Sequence, residues 1–206
     1  MLYEFIKDNY TEGEPIFITD IELQGMSEVN LRQQFKVLTD SGRLMRYAQG
    51  IYYMQHDTIL KGAATLSADT VAYYKYICRN NQVDGYYSGY TFANQLGLSM
   101  QVPVTTEIVS NNIAAKKRDI VIGNRTFIVR HSHIKVTNEN NKVLQFLDLL
   151  KNLKQYADDN ESVAERLVKH IRDCNITRAD IDKYIFDYPD VTFRNFYEMR
   201  LDYVFA

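Results

Sequence analysis

The sequence has little of what marks several protein classes, and these shortages narrow the possibilities first. It has only two cysteines and three prolines among 206 residues, and no low-complexity run, which excludes a disulfide-rich scaffold and a disordered chain. No apolar run reaches the roughly 18 to 20 residues that a membrane span requires. The N-terminus also lacks the basic-then-apolar pattern of a signal peptide. We therefore expect an ordered cytoplasmic protein without membrane contact.

The chain also lacks an excess of charge of either sign. The 24 basic and 26 acidic residues leave a formal net charge of −2, so no global basic field indicates a nucleic-acid partner. Any DNA-binding surface must therefore be local.

The pattern of predicted elements divides the chain in two. A length of 206 residues suits one small and one medium domain. Residues 1–57 predict a short helix, a brief helix, a longer helix and a hairpin, residues 58–66 a connector, and residues 67–206 a larger domain. That domain runs from helices through a strand-rich stretch, with a tight turn at Gly123 and Asn124, to C-terminal helices. This order predicts an α+β protein with a small antiparallel sheet.

Local signals place elements within the larger domain. Ser88 is expected to cap a helix that runs to about Leu96, and Thr177 with Asp180 approximates a capping box. Three strands are expected, at residues 104–110, 118–122 and 125–131.

The most regular pattern of the small domain lies in residues 27–40. Ser27 is a suitable N-cap residue. Leu31, Phe35 and Leu38 recur at i, i+4 and i+7, which predicts one buried stripe along a helix.

The flanking segments complete a DNA-binding motif. A brief helix over residues 21–24, capped by Asp20 and ended by Gly25, would make a helix-turn-helix with the longer helix. Residues 43–54 alternate like two paired strands around a three-residue loop, where Gly50 suits a positive φ. The first 57 residues are therefore predicted to form a winged helix-turn-helix.

Burial of the apolar stripe turns polar side chains outward. Asn and Gln can pair with adenine, while Arg and Lys serve guanine or phosphates. For base edges we assign Asn30, Gln33 and Lys36. For backbone phosphates we assign Arg32, Arg43, Arg46 and Gln49. Acidic residues in the same segment should weaken the binding of DNA by a single protein molecule; they are Glu12, Glu14, Asp20 and Glu22. We therefore expect a homodimer or cooperative binding on paired half-sites.

Enzyme and metal signatures are weak. The sequence has no phosphate-binding loop, and the serine of residues 85–89 is one place too late for a nucleophile elbow. Neither the histidine pair nor the cysteine pair has ligand spacing, and both cysteines lie in helical patterns, so we expect buried thiols; the pairs are His131 with His133, and Cys78 with Cys174. A nuclease-like set fits no tight motif; it comprises Glu107, Lys116, Lys117 and Asp119. We expect no catalytic residue, metal or cofactor.

Two groups of motifs resemble a known family. The first resembles the winged-helix domain of AbiEi-type antitoxins, and its residues are 17–20, 41–46 and 50–52 with Ser27, Leu31 and Leu38. The second is similar to a DUF6088-like branch of that family, and its residues are 88–103, 107–111, 122–123 and 183–189. The resemblance covers most of the chain, and its second group is the more distinctive.

The resemblance implies a function for each domain. In that family the winged helix represses its own promoter at inverted repeats, and the second domain counters a nucleotidyltransferase toxin, generally without forming a stable complex with it. The resemblance thus implies autoregulation for residues 1–57 and antitoxin activity for residues 67–206, in a bacterial toxin-antitoxin operon. It also indicates a candidate functional surface on the second domain, formed by Ser88, Tyr90, Asn94, Gln101 and Glu107.

Two other classes of function stay open. A protein-interaction module that has lost DNA binding would agree with the overall acidity and with the grouped tyrosines near residues 73–90. A nucleic-acid-processing enzyme would require acidic side chains that converge on a divalent ion.

Overall fold

The chain divides into two compact units. A computed structural model describes residues 1–55, 65–157 and 162–205. Contacts group the chain into Met1–Tyr74, the N-terminal unit, and Lys75–Ala206, the C-terminal unit. Helices and strands occur in both units, which confirms the expected α+β class. The predicted connector at residues 58–66 lies mostly outside the described residues.

The N-terminal unit surrounds a small apolar core with helices and a three-stranded sheet. Its elements in chain order are α1 (Leu2–Asn9), β1 (Ile16–Phe17), a 3-10 helix (Ile18–Asp20), α2 (Glu28–Asp40), β2 (Met45–Ala48) and β3 (Ile51–Tyr53). A further helix, α3 (Ala68–Tyr76), begins in this unit and ends in the next. The sheet is antiparallel, in the order β1-β3-β2.

Helix α2 forms where its capping and apolar pattern predict it. The Ser27 hydroxyl accepts a hydrogen bond from the backbone N–H of Asn30, at 3.3 Å, and so satisfies a free donor of the first turn. Leu31, Phe35 and Leu38 are 6%, 0% and 8% exposed, so the predicted buried stripe is confirmed. The helix ends at Asp40, and its residues outside the stripe are exposed except for Gln34 and Thr39, which are half-buried.

The predicted helix at residues 21–24 is wrong. The chain instead makes one 3-10 turn at Ile18–Asp20 and continues without a helix from Ile21, whose φ of −91° and ψ of 108° are extended. This extended residue interrupts the helical hydrogen-bond ladder directly after the 3-10 turn. The Ile21 side chain is buried, 5% exposed, and packs into the core of the unit without helical backbone.

The predicted hairpin is present as β2 and β3. Arg46 lies opposite Tyr52 and Ala48 lies opposite Ile51, with a bulge between Arg46 and Ala48. Because Ala48 still belongs to β2, the connection is shorter than the predicted three-residue loop. Gly50 has a φ of +73°, as expected for this turn, and its missing side chain leaves room for Ile18.

The C-terminal unit combines two sheets with a layer of helices. After the end of α3 its strands are β4 (Cys78–Arg79), β5 (Gln82–Val83), β6 (Gly85–Ser88), β7 (Thr106–Ser110), β8 (Lys117–Ile122) and β9 (Arg125–His131). Its helices are α4 (Gly89–Gln95), α5 (Asn141–Lys151), α6 (Leu153–Tyr156), α7 (Val163–Asp173), α8 (Arg178–Tyr184) and α9 (Asp190–Glu198), with 3-10 turns at Ile185–Asp187 and Leu201–Phe205.

The larger sheet contains the three expected strands, but one of its pairings is parallel. Its order is β6-β7-β9-β8, and β7 runs parallel to β9 while the other neighbours are antiparallel. The hairpin turn at Gly123, with a φ of +57°, returns the chain inward from β8. Strand β9 therefore takes the inner position, where Phe127 and Val129 are fully buried. Strand β8 is left at the edge with mostly exposed residues.

The surroundings of Cys78 differ from the prediction. Helix α3 ends at Tyr76, and Cys78 lies in β4, which turns into β5 through Asn80 and Asn81, both at positive φ. Cys174 follows the last residue of α7, as the helical pattern suggested. Both thiols are free and only partly buried.

The C-terminal helices pack around α5. Residues 143–150 of α5 are all buried, among them Asp148. The predicted capping box of α8 is confirmed, since Thr177 and Asp180 bond reciprocally to each other's backbone N–H. This helical layer forms one apolar core with Tyr86 and Val109 of the sheet.

Replacement of Phe35 by alanine tests the buried stripe. We expect Phe35→Ala to lower the free energy of unfolding of the N-terminal unit by about 3 to 4 kcal/mol, because a fully buried ring is lost and a cavity remains. Val37→Ala on the exposed side of α2 is the control and should change it by less than about 0.5 kcal/mol. Urea unfolding followed by circular dichroism measures both, and equal effects would contradict the arrangement of α2.

Candidate functional site

The strongest candidate site is a cleft between α2 and the β2–β3 hairpin. It has a volume of about 410 Å³. Four of the predicted DNA-binding residues line it together, namely Arg32, Lys36, Arg46 and Gln49. The rest of its lining is Ile18, Thr39, Asp40, Gly50 and Tyr52. We call these nine residues the α2–hairpin cleft.

The cleft exists because an aromatic pair joins its two walls. The Phe35 ring, on the inner side of α2, lies 4.6 Å from the Tyr52 ring of β3, measured between centroids. Tyr52 pairs with Arg46 across the hairpin. The aromatic contact holds β3, and through its pairing with β2 it holds Arg46, beside the helix that carries Arg32 and Lys36.

The other predicted DNA-binding residues lie outside the cleft. Asn30 and Gln33 are exposed on α2. Arg43 is exposed as well, but its guanidinium carbon lies 5.2 Å from the centre of the Tyr3 ring, a residue of α1. The seven predicted residues are thus all exposed, and four of them meet in one depression.

The cations of the cleft have weak competing contacts. Arg32 forms an ion pair with Glu28, at 2.5 Å, although both side chains are mostly exposed. The Arg46 Nε donates to the backbone oxygen of Ala48 at 3.4 Å. An exposed i, i+4 ion pair contributes only about 0.3 to 0.5 kcal/mol, so an anionic ligand that makes a stronger contact can displace it. The lining contains three cations and one carboxylate, that of Asp40, so its net charge is positive.

Two exposed valines on α2 were missed by the sequence analysis. Val29 is 77% exposed and Val37 is 59% exposed. They lie four residues before and after Gln33, so the three share one helical stripe. The i, i+4, i+8 spacing opposite the buried stripe was visible in the sequence, and it was the signal that could have found them.

The C-terminal unit holds a buried polar cluster centred on Asp148. Its Oδ2 accepts from Ser88 Oγ at 2.5 Å and from Arg130 Nη2 at 2.9 Å, while its Oδ1 accepts from Lys151 Nζ at 2.9 Å. Arg130 also donates to Ser88 Oγ at 2.7 Å. These contacts join the end of β6, strand β9 and helix α5, and we call the four residues the Asp148 cluster.

The cluster is stabilised by opposite charges around a buried carboxylate. Burial alone would raise the pKa of the Asp148 carboxyl, but the charges of Arg130 and Lys151 and the Ser88 hydroxyl hold this pKa below its ordinary value. Burial would lower the pKa of Arg130, and the Asp148 charge raises it instead. Asp148 and Arg130 therefore remain charged at neutral pH, and the contacts of the cluster satisfy the Asp148 carboxylate internally.

Ser88 takes a different role from the one expected. It precedes α4, as predicted, but its hydroxyl makes no capping hydrogen bond and is engaged in the Asp148 cluster. The reason is the strand register, which buries Ser88 to 3% exposure beside α5. Arg130, Asp148 and Lys151 were not identified from the sequence, where the only signal was a lone acid inside the apolar run of α5.

The other candidate positions of the second domain make local contacts. The Tyr90 hydroxyl donates to the backbone oxygen of Gln155 at 3.1 Å. The Asn94 amide donates to the backbone oxygens of Ser99 and Gln101, at 3.1 and 3.3 Å, as expected for a turn. The Glu107 N–H donates to the Thr91 hydroxyl at 3.0 Å.

The residues considered for a metal do not converge in the described part of the chain. His131 Nδ1 lies 2.6 Å from the backbone oxygen of Ile113, and the His133 ring packs edge-on against Tyr188. Strand β9 separates Glu107 on β7 from Asp119 on β8. Within residues 1–55, 65–157 and 162–205, no three His, Cys, Asp or Glu side chains are grouped as metal ligands would be.

Comparison with protein families identifies the family of the chain. The model of the DUF6088 family, described as a family of unknown function, matches residues 2–181. No curated protein matches the sequence. Among the described helices, none has both the length and the apolar composition needed to cross a bilayer.

Replacement of Asp148 by asparagine tests the buried cluster. Asp148→Asn should lower the free energy of unfolding by about 3 kcal/mol at pH 7, because Arg130 and Lys151 lose a buried counter-charge. The lowered pKa of Asp148 means that its stabilisation is present at neutral pH and is lost as the pH falls through that value, below roughly 4. The difference between wild type and variant should therefore shrink in acid.

The matched control is Asp182→Asn, which removes an exposed ion pair with Arg178. It should cost less than about 0.5 kcal/mol at pH 7. Urea unfolding at several pH values measures both variants. A loss at Asp148 as small as at Asp182, or one that does not change with pH, would show that the cluster does not stabilise the unit.

Proposed function

The chain belongs to the DUF6088 family, and we propose that it is a transcriptional regulator whose N-terminal unit binds double-stranded DNA as a winged helix. The observation that carries this proposal is the α2–hairpin cleft, where Arg32, Lys36 and Arg46 meet beside an exposed helix face. Such an arrangement offers cations to a phosphate backbone and side-chain amides to base edges.

The order of elements supports the proposal. A helix, a strand, a turn of helix, a longer helix and a two-stranded hairpin follow one another in the first 53 residues, and this is the order of a winged helix. Helix α2 occupies the place of the recognition helix and β2–β3 that of the wing. The departure is the 3-10 turn at Ile18–Asp20, where many helix-turn-helix proteins have a longer helix.

Two surfaces of α2 would make different DNA contacts, one with base edges and the other with phosphates. Gln33 lies opposite the buried stripe, and Asn30 lies beside it, so both can reach base edges when the helix enters a major groove about 12 Å wide. Lys36 lines the cleft with Arg32 and Arg46. We therefore reassign Lys36 from base edges to phosphates, where the backbone would pass between helix and hairpin.

The resemblance to AbiEi-type antitoxins supports a biological setting for this activity. We propose that the protein is a cytoplasmic autorepressor that binds inverted repeats in its own promoter, as a homodimer or cooperatively. Its C-terminal unit would counter a nucleotidyltransferase toxin without forming a stable complex with it. The protein would act by binding, without catalysis or a cofactor.

A second candidate function is a protein-interaction module that does not bind DNA. The observation that favours it is an exposed apolar loop in the C-terminal unit, where Met100, Val102 and Val104 are 86%, 82% and 94% exposed. Exposed apolar groups of this kind often mark contact surfaces. The DNA titration below separates the two candidates.

Binding to the DNA that precedes the protein's own gene is the decisive measurement. Fluorescence anisotropy at several salt concentrations should show specific binding with a salt dependence. Arg32→Ala should reduce the magnitude of the logarithmic salt slope by about 0.9, because one phosphate contact is lost. Gln33→Ala should relax the preference at one base pair, which is a change of about 1 to 3 kcal/mol in discrimination. Arg172→Ala, on the exposed face of α7, is the control and should alter neither quantity.

Equal binding to this DNA and to unrelated DNA of the same length would reject the regulator proposal. A salt slope that Arg32→Ala leaves unchanged would reject the assignment of the cleft to phosphates.

Release of Arg32 from its ion pair should strengthen binding. Glu28→Gln removes the Arg32 partner and a negative charge beside the cleft, so we expect the affinity for the same DNA to rise about two- to three-fold at low salt. Glu4→Gln is the matched control, because Glu4 pairs with Lys7 on α1 at 4.0 Å. It should leave the affinity unchanged. A loss of affinity in Glu28→Gln would mean that the Glu28–Arg32 pair positions the arginine for DNA instead of competing for it.

A further inference from the structure

The outward face of α2 carries an apolar pattern that neither folding nor phosphate binding explains. Val29, Gln33 and Val37 follow one another at i, i+4 and i+8, so they form a single stripe. This stripe lies opposite the buried one, and its two valines are 77% and 59% exposed. Along the helix axis they are about 12 Å apart, which corresponds to three or four base pairs at roughly 3.4 Å each.

Valine is a poor residue for this position if stability alone is considered. A β-branched side chain loses rotamer freedom in a helix, so alanine, lysine or glutamate is favoured at an exposed helical site. Val29 and Val37 are also mostly exposed, so burial within the N-terminal unit stabilises these side chains little. Two such residues on either side of Gln33 therefore suit a ligand that offers apolar groups next to hydrogen-bonding groups.

The major groove of DNA offers this combination. The thymine C5-methyl group is an apolar contact there, and adenine presents the N6 and N7 atoms to which glutamine can bond. Residues in the first turns of a recognition helix contact base edges, and Val29 is the second residue of α2.

We propose that Val29 and Val37 contact thymine methyl groups on either side of an A·T pair read by Gln33. This inference rests on the proposed function, and it assigns the half-site a chemical character, namely thymines about three or four base pairs apart.

The test uses the DNA that precedes the protein's own gene, in two forms. One has thymine throughout the bound half-sites, and the other has uracil there, which lacks only the methyl group. Wild-type protein should bind the uracil form about four-fold more weakly for each contacted methyl group, as expected for loss of one buried methyl. Uracil placed outside the half-sites is the control for general effects on the duplex and should change nothing.

The Val29→Ala/Val37→Ala variant is tested on the same two forms of DNA. Alanine raises helix propensity, so the variant should fold as well as wild type, which circular dichroism checks. It should bind thymine DNA about ten-fold more weakly than wild type and should not distinguish thymine from uracil. Val121→Ala, a 71% exposed valine on β8 of the C-terminal unit, should behave as wild type.

The outcomes separate this inference from the function on which it rests. Specific binding that is equally strong to thymine and uracil DNA would overturn the methyl contacts and leave the regulator intact. A sensitivity to uracil that persists in the double variant would also overturn the role of the valines. An absence of specific binding to either DNA would remove both proposals.

Discussion

The packing of Phe35 against Tyr52 is the interaction on which the candidate interface depends. It buries the Phe35 ring completely and brings this ring of α2 within 4.6 Å of the Tyr52 ring of β3, centroid to centroid. Because a helix has only one inner face, the residues opposite Phe35 must point outward, and Gln33 is among them. The same contact sets the distance between the cations of α2 and Arg46 of the hairpin. The orientation of the polar groups thus follows from an apolar contact.

The two units use their cations in different ways. Arg130 and Lys151 are committed to a buried carboxylate, and their removal from Asp148 would leave an uncompensated charge inside the protein. Arg32 is paired with Glu28 in water, where the pair is weak and can be exchanged for another anion. An anionic ligand can therefore recruit Arg32 at little cost. This difference assigns a structural role to the Asp148 cluster and makes the α2–hairpin cleft the better ligand site.

Local sequence signals predicted the parts of the fold that depend on neighbouring residues. The Ser27 cap, the buried stripe of α2, the Gly50 turn and the Thr177–Asp180 capping box all follow from residues within a few positions of each other. Four of the seven predicted interface residues were therefore placed in one cleft. The signals failed where distant segments decide the outcome.

Three differences show this limit. Residues 21–24 are not helical, because Ile21 packs into the core with extended backbone. Strand β9 pairs parallel to β7, because β9 is more buried than β8 and takes the inner position of the sheet. In the Asp148 cluster, Ser88 contacts Arg130, 42 positions along the chain, and Asp148, 60 positions along. No local pattern encodes such contacts.

The charge balance of the chain bears on how many copies would act together. The cleft offers three cations, Arg32, Lys36 and Arg46, and three phosphate contacts correspond to a logarithmic salt slope of about −2.7. Such a slope is shallow for a protein that must find one site among a genome of competitors. The net charge of −2 supplies no additional general attraction. Two copies on an inverted repeat would double the slope and multiply the discrimination of the two half-sites, so the weak local charge itself argues for paired binding.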